Sequence, residues 1–284
     1  MPAPTASVCT VSGKGLISGL SVEATVTQAP PGHGIVFYSG SGLPISARLG
    51  AVVQTERGVT LADASGNTLS IVEHFLAATA MAGLSDLNVT LCGAPELPIL
   101  DGSAQPWLEA LTQAFGQQAI PSDISLTRPV FYRHDDFTCL YAWPADCFQI
   151  TYALDYPHPE LKNQWARWNL QQDGVEQLAP ARTFGFVREL PLLLEKGLAK
   201  GVDAENTVGI EDDGAYTDAL RLPEEPIRHK MLDLIGDLAL MGINPLRLKA
   251  HITALNAGHS SHTAFAKQLR AAIKMPEDAL QRLP

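Results

Sequence analysis

The order of the secondary-structure elements predicted from this sequence repeats once, and that repeat limits the fold more than any single motif does. In the first half, apolar periodicity predicts three strands and two helices, over 22–26, 35–37, 87–91, 70–81 and 106–115. In the second half, it predicts three strands and two helices over 137–141, 148–154, 246–254, 229–240 and 261–273. Each half therefore places a pair of helices on one face of a sheet, which indicates an α+β fold.

The periodic pattern stops between residues 116 and 123, and we place a domain boundary there. The predicted domains are 1–121, an N-terminal α+β domain, and 122–284, a C-terminal α+β domain. A chain of 284 residues is long enough for two domains of ordinary size. With 46% hydrophobic and 18% charged residues, the composition is that of a folded protein and not of a disordered one.

Charge and cysteine usage exclude several classes of protein. A formal net charge of -10 argues against a nucleic-acid backbone as the main partner. The four cysteines form no C-x-x-C pair, so neither a cysteine zinc site nor a disulfide framework is indicated. Residues 1–12 lack the features of a signal peptide, and no segment offers about 18 uninterrupted apolar residues. We therefore expect a cytoplasmic protein without an integral membrane segment.

The segment from Arg228 to Asp237 carries an unusual polar stripe. In a helix, His229, Asp233 and Asp237 fall within an arc of about 80°, with apolar residues on the opposite side. His229 and Asp233 are spaced to share a cation. Taken alone, the segment is explained at least as well by a surface stripe or by a buried histidine-aspartate hydrogen bond.

A second histidine supplies what that stripe lacks, because a catalytic zinc site needs three protein ligands and an open position. His74 stands directly after Glu73 at the start of an apolar helical run. A carboxylate beside a ligand suits a general base. The competing interpretation is a capping box, in which Ser70 caps the helix and Glu73 reaches back to the Ser70 amide.

Several motifs, taken in order, resemble one family over nearly the whole chain. They are Gly13-Lys14-Gly15-Leu16, Glu96-Leu97-Pro98-Ile99-Leu100-Asp101-Gly102-Ser103, Glu73-His74, Ala181-Arg182-Thr183-Phe184-Gly185-Phe186, the segment 229–237 and Ala257-Gly258-His259. The family they resemble is that of the UDP-3-O-acyl-N-acetylglucosamine deacetylases, the zinc amidases of lipid A synthesis. Several long motifs in the right order are more specific than any one of them.

The resemblance implies two structurally similar two-layer βα sandwich domains with the active site between them. It implies a Zn²⁺ cofactor held by His74, His229 and Asp233, with Glu73 as the general base. His259 would stabilise the oxyanion or protonate the leaving amine, with Asp237 orienting it and Thr183 donating a hydrogen bond near the reacting carbonyl. The reaction would release acetate from a UDP-3-O-acyl-N-acetylglucosamine, a small-molecule substrate, in the committed step of lipopolysaccharide synthesis.

The resemblance also assigns substrate contacts. It places Phe184, Gly185 and Phe186 against the substrate, although alternating aromatic residues are more often part of a core. It implies that Lys230 binds oxygen atoms of the substrate; the alternative is a solvated lysine on the helix edge. It assigns the segment 187–210, which includes Leu190, to an inserted βαβ motif that forms a hydrophobic passage for the acyl chain; the alternative is ordinary leucine packing.

The chain departs from the family pattern at Ile17, where the family commonly has histidine. This change is the only sequence support for a noncatalytic paralogue that binds a nucleotide sugar. A second alternative is an acyltransferase, but His229 and Asp233 are separated by three residues and not by the four of the H-x-x-x-x-D arrangement. The remaining histidines are interpreted as surface or structural: His33, His134, His158, His251 and His262. We expect a monomer, while acyl-chain length is not readable from the sequence.

Overall fold

The computed structural model describes residues 7–40 and 42–274. The helices are α1 (Glu73–Ala82), α2 (Gln105–Phe115), α3 (Leu170–Asp173), α4 (Leu190–Glu195), α5 (Glu225–Ala239) and α6 (His259–Arg270). The strands of the first half are β1 (Val8–Lys14), β2 (Ser21–Gln28), β3 (Ile35–Ser39), β4 (Ile45–Ser46), β5 (Val52–Gln54), β6 (Thr60–Ala62), β7 (Thr68–Ser70) and β8 (Leu87–Gly93). Those of the second half are β9 (Ile124–Leu126), β10 (Val130–Arg133), β11 (Cys139–Pro144), β12 (Gln149–Leu154), β13 (Gln164–Asn169), β14 (Phe184–Phe186), β15 (Val208–Ile210), β16 (Leu248–Leu255) and β17 (Ile273–Lys274).

The two halves of the chain build equivalent sheets. The first sheet has the order β1-β2-β8-β3-β4. The second has β10-β11-β16-β12-β13, with β9 paired to β16 and β17 paired to β9. Each has a central parallel pair, β3 with β8 and β12 with β16, flanked by antiparallel neighbours. In the second sheet, the short strand β9 also pairs with β16 in parallel. In the first half, α1 precedes β8 in the chain and α2 follows it. In the second half, α5 precedes β16 and α6 follows it. The predicted α+β class and the repeated element order are confirmed.

Helices from both halves meet between the two sheets. The Phe75 ring of α1 packs edge-on against Phe37 of β3 and against Trp107 of α2, at centroid distances of 5.9 and 5.0 Å. α5 packs on β12 and β13, and α6 on β10 and β11. α1 also packs against α5, and every residue of α1 is buried. The first turn of α1 is therefore held against the middle of α5.

A small parallel pair projects from the second half. β14 pairs with β15, and α4 lies between them in the chain. A separate three-stranded sheet, β5-β6-β7, belongs to the first half. The buried ion pair of Arg182 with Glu225, at 2.9 Å, fixes the chain before β14 to the first residue of α5.

Several predicted boundaries were wrong for local reasons. The helix predicted over 70–81 begins at Glu73, because Ser70 is the last residue of β7 and its amide donates to the Pro95 carbonyl oxygen. Phe137 lies in a turn before β11, because its amide donates to the Asp135 carboxylate at 2.8 Å. Leu246 lies in a 3₁₀ turn before β16, where its amide donates to the Asn244 side chain. α6 ends at Arg270, since Ile273 pairs with Leu126 in the sheet. None of the described helices is both long and apolar enough to cross a membrane.

Candidate metal centre and active site

Three side chains from two helices converge at the contact of α1 with α5. His74 Nε2 lies 3.6 Å from Asp233 Oδ1, and His229 Nε2 lies 3.3 Å from the same oxygen. All three candidate ligand atoms are within 4.8 Å of one another, and all three residues are buried. Asp233 Oδ1 accepts no hydrogen bond from any described residue. A buried, unpartnered carboxylate oxygen between two imidazoles fits a divalent metal ion.

Backbone contacts prepare His229 to bind a metal. Its Nδ1 lies 3.0 Å from the carbonyl oxygen of Ala181, so Nδ1 carries the hydrogen and Nε2 presents its lone pair to the cluster. Burial lowers the pKa of His229 to about 4, and Asp233 only partly offsets this effect. The imidazole is therefore neutral at pH 7, as a metal ligand must be.

Lys230 balances the charge of the cluster. Its Nζ lies 3.1 Å from Asp233 Oδ2, so the two oxygens of this carboxylate have different neighbours. Burial works against ionisation of Asp233, but His229 and Lys230 outweigh it and hold the pKa of the carboxyl well below its usual range. The lysine side chain is only 18% exposed, which is inconsistent with a fully solvated lysine on the helix edge.

Glu73 is the first residue of α1, and its side chain does not cap the helix. The N-cap is Val72, which makes no side-chain cap hydrogen bond, and Ser70 Oγ instead lies 2.9 Å from Thr60 Oγ1. Glu73 Oε2 accepts a hydrogen bond from the Val59 amide at 3.0 Å. The capping-box interpretation is wrong. The remaining oxygen, Oε1, faces the cluster of histidines.

His259 stands opposite Glu73 as the first residue of α6. Its Nδ1 donates to Asp237 Oδ2 at 2.8 Å, and its Nε2 lies 4.0 Å from Glu73 Oε1. Burial opposes the charged imidazole, but Asp237 and Asp233 outweigh it and raise the pKa of His259 to about 9. Burial raises the pKa of the Glu73 carboxyl above its ordinary value. A carboxyl with a raised pKa beside an imidazole with a raised pKa suits a general base and a general acid that work at neutral pH.

His262 is the site residue whose contacts sequence reasoning missed. Its Nδ1 lies 2.8 Å from the same Asp237 oxygen that His259 contacts, and its Nε2 lies 3.0 Å from the hydroxyl of Tyr152. That hydroxyl donates to the Ala257 carbonyl at 2.6 Å. His262 is completely buried, so it is structural and not a surface residue. The spacing of His259 and His262 on one helix, three residues apart, was the signal available in the sequence.

The other histidines lie outside the cluster. His33 contacts Asn88, and His251 contacts Thr151, both at 2.9 Å. His158 is buried, with its Nε2 2.8 Å from the carbonyl oxygen of Glu211. His134 is exposed and lines the outer part of the cavity described next.

A cavity of about 640 Å³ opens beside the cluster. Its polar floor includes Glu73, His74, His229, Asp233 and His259. Its walls include Thr183 and all the residues that the resemblance assigned to the substrate, namely Phe184, Gly185, Phe186, Leu190 and Lys230. Further apolar side chains line it from both halves: Leu16, Ile71, Val187, Leu193, Leu198 and Val202. A polar floor with apolar walls suits a ligand that has a polar and an aliphatic part.

The aromatic residues of β14 differ in their neighbours. The Phe184 ring lies edge-on to His229 at 6.3 Å, and Lys230 Nζ stands 5.7 Å from its centroid. Phe186 contacts His158, with centroids 5.1 Å apart. Between them, a Cβ added to Gly185 would meet nothing within 4 Å, so the glycine leaves free space beside the backbone.

The loops of the first half hold the cavity wall in place. Glu96 accepts the amides of Ile17 and Ser18, both at 2.9 Å. Gly102 accepts the amide of Thr183 at 2.8 Å, and a Cβ on Gly102 would lie 1.7 Å from the Asn206 carbonyl oxygen. Leu16 lines the cavity, whereas Ile17 is not among the described lining residues.

Comparison with known proteins identifies the family of this chain. The family model described as UDP-3-O-acyl N-acetylglycosamine deacetylase matches residues 5–271. The chain is 39% identical over 264 residues to the UDP-3-O-acyl-N-acetylglucosamine deacetylase of Thermosynechococcus vestitus, covering 91% of this chain and 90% of the relative. It is 37% identical over 278 residues to the enzyme of that name from Chlamydia muridarum, covering 95% of each chain. The chain belongs to the UDP-3-O-acyl-N-acetylglucosamine deacetylase family.

Proposed function

We propose that this chain hydrolyses the N-acetyl amide of UDP-3-O-acyl-N-acetylglucosamine, giving acetate and UDP-3-O-acyl-glucosamine, in lipid A biosynthesis. Membership of the family makes it an enzyme, a deacetylase that acts on a small-molecule substrate. The observation that carries the proposal is the meeting of His74 with His229 and Asp233, beside Glu73 and His259, on the floor of one cavity.

We propose zinc as the metal. Two imidazoles and one carboxylate are a donor set that catalytic zinc sites use with a fourth position left open. His74, His229 and Asp233 would hold it. When bound, zinc supplies Lewis acidity, which makes water more acidic and polarises a carbonyl group.

The protein residues then divide the proton transfers. Glu73, with one oxygen fixed by the Val59 amide, presents Oε1 as the general base that removes a proton from water. His259, held through Nδ1 by Asp237, presents a protonated Nε2 that stabilises the developing oxyanion and delivers a proton to the leaving amine. Thr183 supplies a further hydrogen-bond donor from the cavity wall. The amide C–N bond breaks, acetate retains the carbonyl carbon, and the amine leaves neutral.

Substrate orientation follows from the two kinds of cavity wall. Lys230 and the Phe184 ring lie together beside the metal cluster, where a sugar ring and its oxygens would be recognised. Phe186, Leu190, Leu193 and Leu198 provide an apolar wall, which suits the 3-O-acyl chain. Gly185 allows the substrate to approach the backbone of β14 closely.

The decisive experiment is acetate release from a UDP-3-O-acyl-N-acetylglucosamine by the purified protein, before and after chelation and with zinc restored up to an equimolar amount. Release that chelation abolishes and zinc restores supports the proposal. H229A and D233N should bind no zinc and release no acetate. A folded, zinc-loaded protein that releases no acetate across several acyl lengths contradicts it.

We also propose the division into domains 1–121 and 122–284. The last strand of the five-stranded sheet ends at Gly93, and the seven-stranded sheet begins with β9 at Ile124. No helix or strand lies between residues 116 and 123. The cytoplasmic location and the monomeric state stay predictions.

A further inference from the structure

The seven-stranded sheet has one face that no described element covers. Helices α5 and α6 pack on its inner face. On the outer face, Phe131 of β10 is 56% exposed and Trp165 of β13 is 66% exposed, while Tyr141 of β11 is 37% exposed. These are large apolar side chains on regular strands, at positions that strand alternation assigns to the outside. An open sheet face of this composition indicates an interaction surface.

Three aromatic residues of this face, Phe131, Tyr141 and Trp143, form a row of neighbouring rings. The ring centroids of Phe131 and Tyr141 are 6.2 Å apart, and those of Tyr141 and Trp143 are 5.1 Å apart. Trp143 continues the row to His251 of β16, at 4.5 Å. The row therefore crosses three adjacent strands as one continuous surface.

The charges of this face differ from those of the whole protein. The outward positions of β10, β11, β16, β12 and β13 hold Arg133, Lys249 and Arg167, and among these described positions there is no aspartate or glutamate. Arg133 pairs with Asp136 in the adjoining turn, but Lys249 and Arg167 make no ion pair with a described residue. The chain as a whole has a net charge of -10. The face therefore favours an anionic partner.

The face reaches the mouth of the active-site cavity. The turn between β10 and β11 carries Phe137, which is 75% exposed. The same turn contributes His134 and Thr138 to the cavity lining. One hairpin thus joins the exposed aromatic surface to the cavity opening.

We propose that this aromatic face, defined by Phe131, Tyr141, Trp143, Trp165, Arg167, Lys249 and His251, binds the surface of a bilayer that contains anionic lipids. Tryptophan and tyrosine insert at the boundary of headgroups and acyl chains because their rings combine an apolar body with a polar edge. Arginine and lysine add attraction to anionic headgroups. The binding is peripheral and is independent of the hydrolytic reaction.

Two other partners fit the face less well. A single-stranded nucleic acid needs a track of cations along its backbone, and only Lys249 and Arg167 are free of ion pairs with described residues here. The neighbouring rings contact each other at interplanar angles of 43–56°, which leaves no parallel gap for stacked bases. A second copy of the face would bring Lys249 and Arg167 against like charges.

Co-sedimentation of the full chain with vesicles tests the proposal. We compare vesicles of phosphatidylcholine alone with vesicles that contain about 30% phosphatidylglycerol, at about 0.1 M salt. The unaltered chain should bind the anionic vesicles and not the neutral ones. Replacing Lys249 and Arg167 by glutamine should weaken that binding by about 30-fold. Replacing Tyr141 and Trp165 by serine should weaken it by about tenfold or more.

Matched variants control for general effects. Val8→Ser removes another exposed apolar side chain, 53% exposed on the five-stranded sheet, and R48Q with K267Q removes two exposed cations elsewhere. These variants should bind vesicles like the unaltered chain, and every variant should retain its acetate release from dispersed substrate. Equal binding by the altered and control proteins overturns the proposal. The proposal is also overturned if the unaltered chain binds no vesicles, or if it binds a single-stranded oligonucleotide and not the vesicles. Concentration-dependent dimerisation that Trp165→Ser abolishes would overturn it as well.

Discussion

Gly236 of α5 lies so close to Glu73 of α1 that a Cβ added to Gly236 would stand 2.1 Å from the Glu73 carbonyl oxygen. A glycine inside a helix costs about 1 kcal/mol relative to alanine, so this position weakens α5 locally. In return, the first turn of α1 comes within reach of α5, and His74 meets Asp233. The three candidate metal ligands can meet only because the two helices approach each other this closely.

Replacing Gly236 by alanine should therefore affect the site strongly, although it adds only one methyl group. The added methyl group must push α1 away from α5, at a cost of about 1–3 kcal/mol in stability. We expect weaker zinc binding and lower kcat together, measured by zinc retention during chelator titration and by acetate release. Gly50→Ala is the control, because a Cβ there meets nothing within 4 Å. Unchanged zinc affinity and turnover in G236A would contradict this role.

Glu73→Gln separates catalysis from metal binding. The amide keeps the size of the side chain and an oxygen that accepts from the Val59 amide, but it cannot take a proton. We expect zinc content to be unchanged and kcat to fall by about 100-fold or more. Ser70→Ala is the comparison, since its hydroxyl contacts Thr60 and caps no helix; it should leave kcat within about twofold. A large loss in S70A with a small loss in E73Q would exclude Glu73 as the base.

Removal of the metal should lower the melting temperature. A ligand that binds only the folded state stabilises it, by about 2.7 kcal/mol at 100 times its dissociation constant. For a chain of this size, that corresponds to a shift of roughly 5–10 °C. We expect this shift between zinc-loaded and chelated protein in scanning calorimetry. In D233N the difference should disappear, and a zinc-dependent shift of the same size in that variant would argue for other ligands.

The pH dependence of kcat/KM should be bell-shaped. Glu73 works when it is deprotonated, and burial raises its pKa, so activity rises as the pH passes through that raised value. His259 works when it is protonated. Asp237 and Asp233, outweighing burial, raise its pKa to about 9, and a bound cation moves it back towards neutrality. The basic limb should therefore lie between about pH 7 and 9 and be missing in H259Q. An unchanged basic limb in H259Q would remove His259 from the acid role.

His262 should act through Asp237. Because one Asp237 oxygen binds both histidines at 2.8 Å, loss of His262 frees the carboxylate to turn away from His259. We expect H262L to lose about tenfold or more in kcat, with zinc content and KM unchanged, and H262N to retain more activity because its amide can donate to Asp237. His251→Asn is a matched control, since His251 contacts Thr151 on the sheet and lies outside the cluster. Equal activity in H262L and the control would make His262 a packing residue only.

The sequence by itself determined the regular elements and the family. Apolar periodicity located α2 and α5 within a few residues, because each of these helices buries one apolar stripe. A continuous apolar run located α1, which is buried on all sides. Apolar periodicity also located the central strands β8, β12 and β16, whose side chains alternate between core and surface. The short edge strands β4, β5 and β17 left no such pattern, since two or three residues cannot establish a period.

Only the tertiary structure decided how the site is assembled. His74 and Asp233 are 159 positions apart in the chain, and spacing along one helix could pair Asp233 only with His229. Three further contacts join different segments of the chain. Gly236 lies against the Glu73 backbone, and the Val59 amide donates to the Glu73 side chain. Asp237 binds both His259 and His262. Local propensity does not encode such contacts, because they depend on how two sheets and their helices pack together.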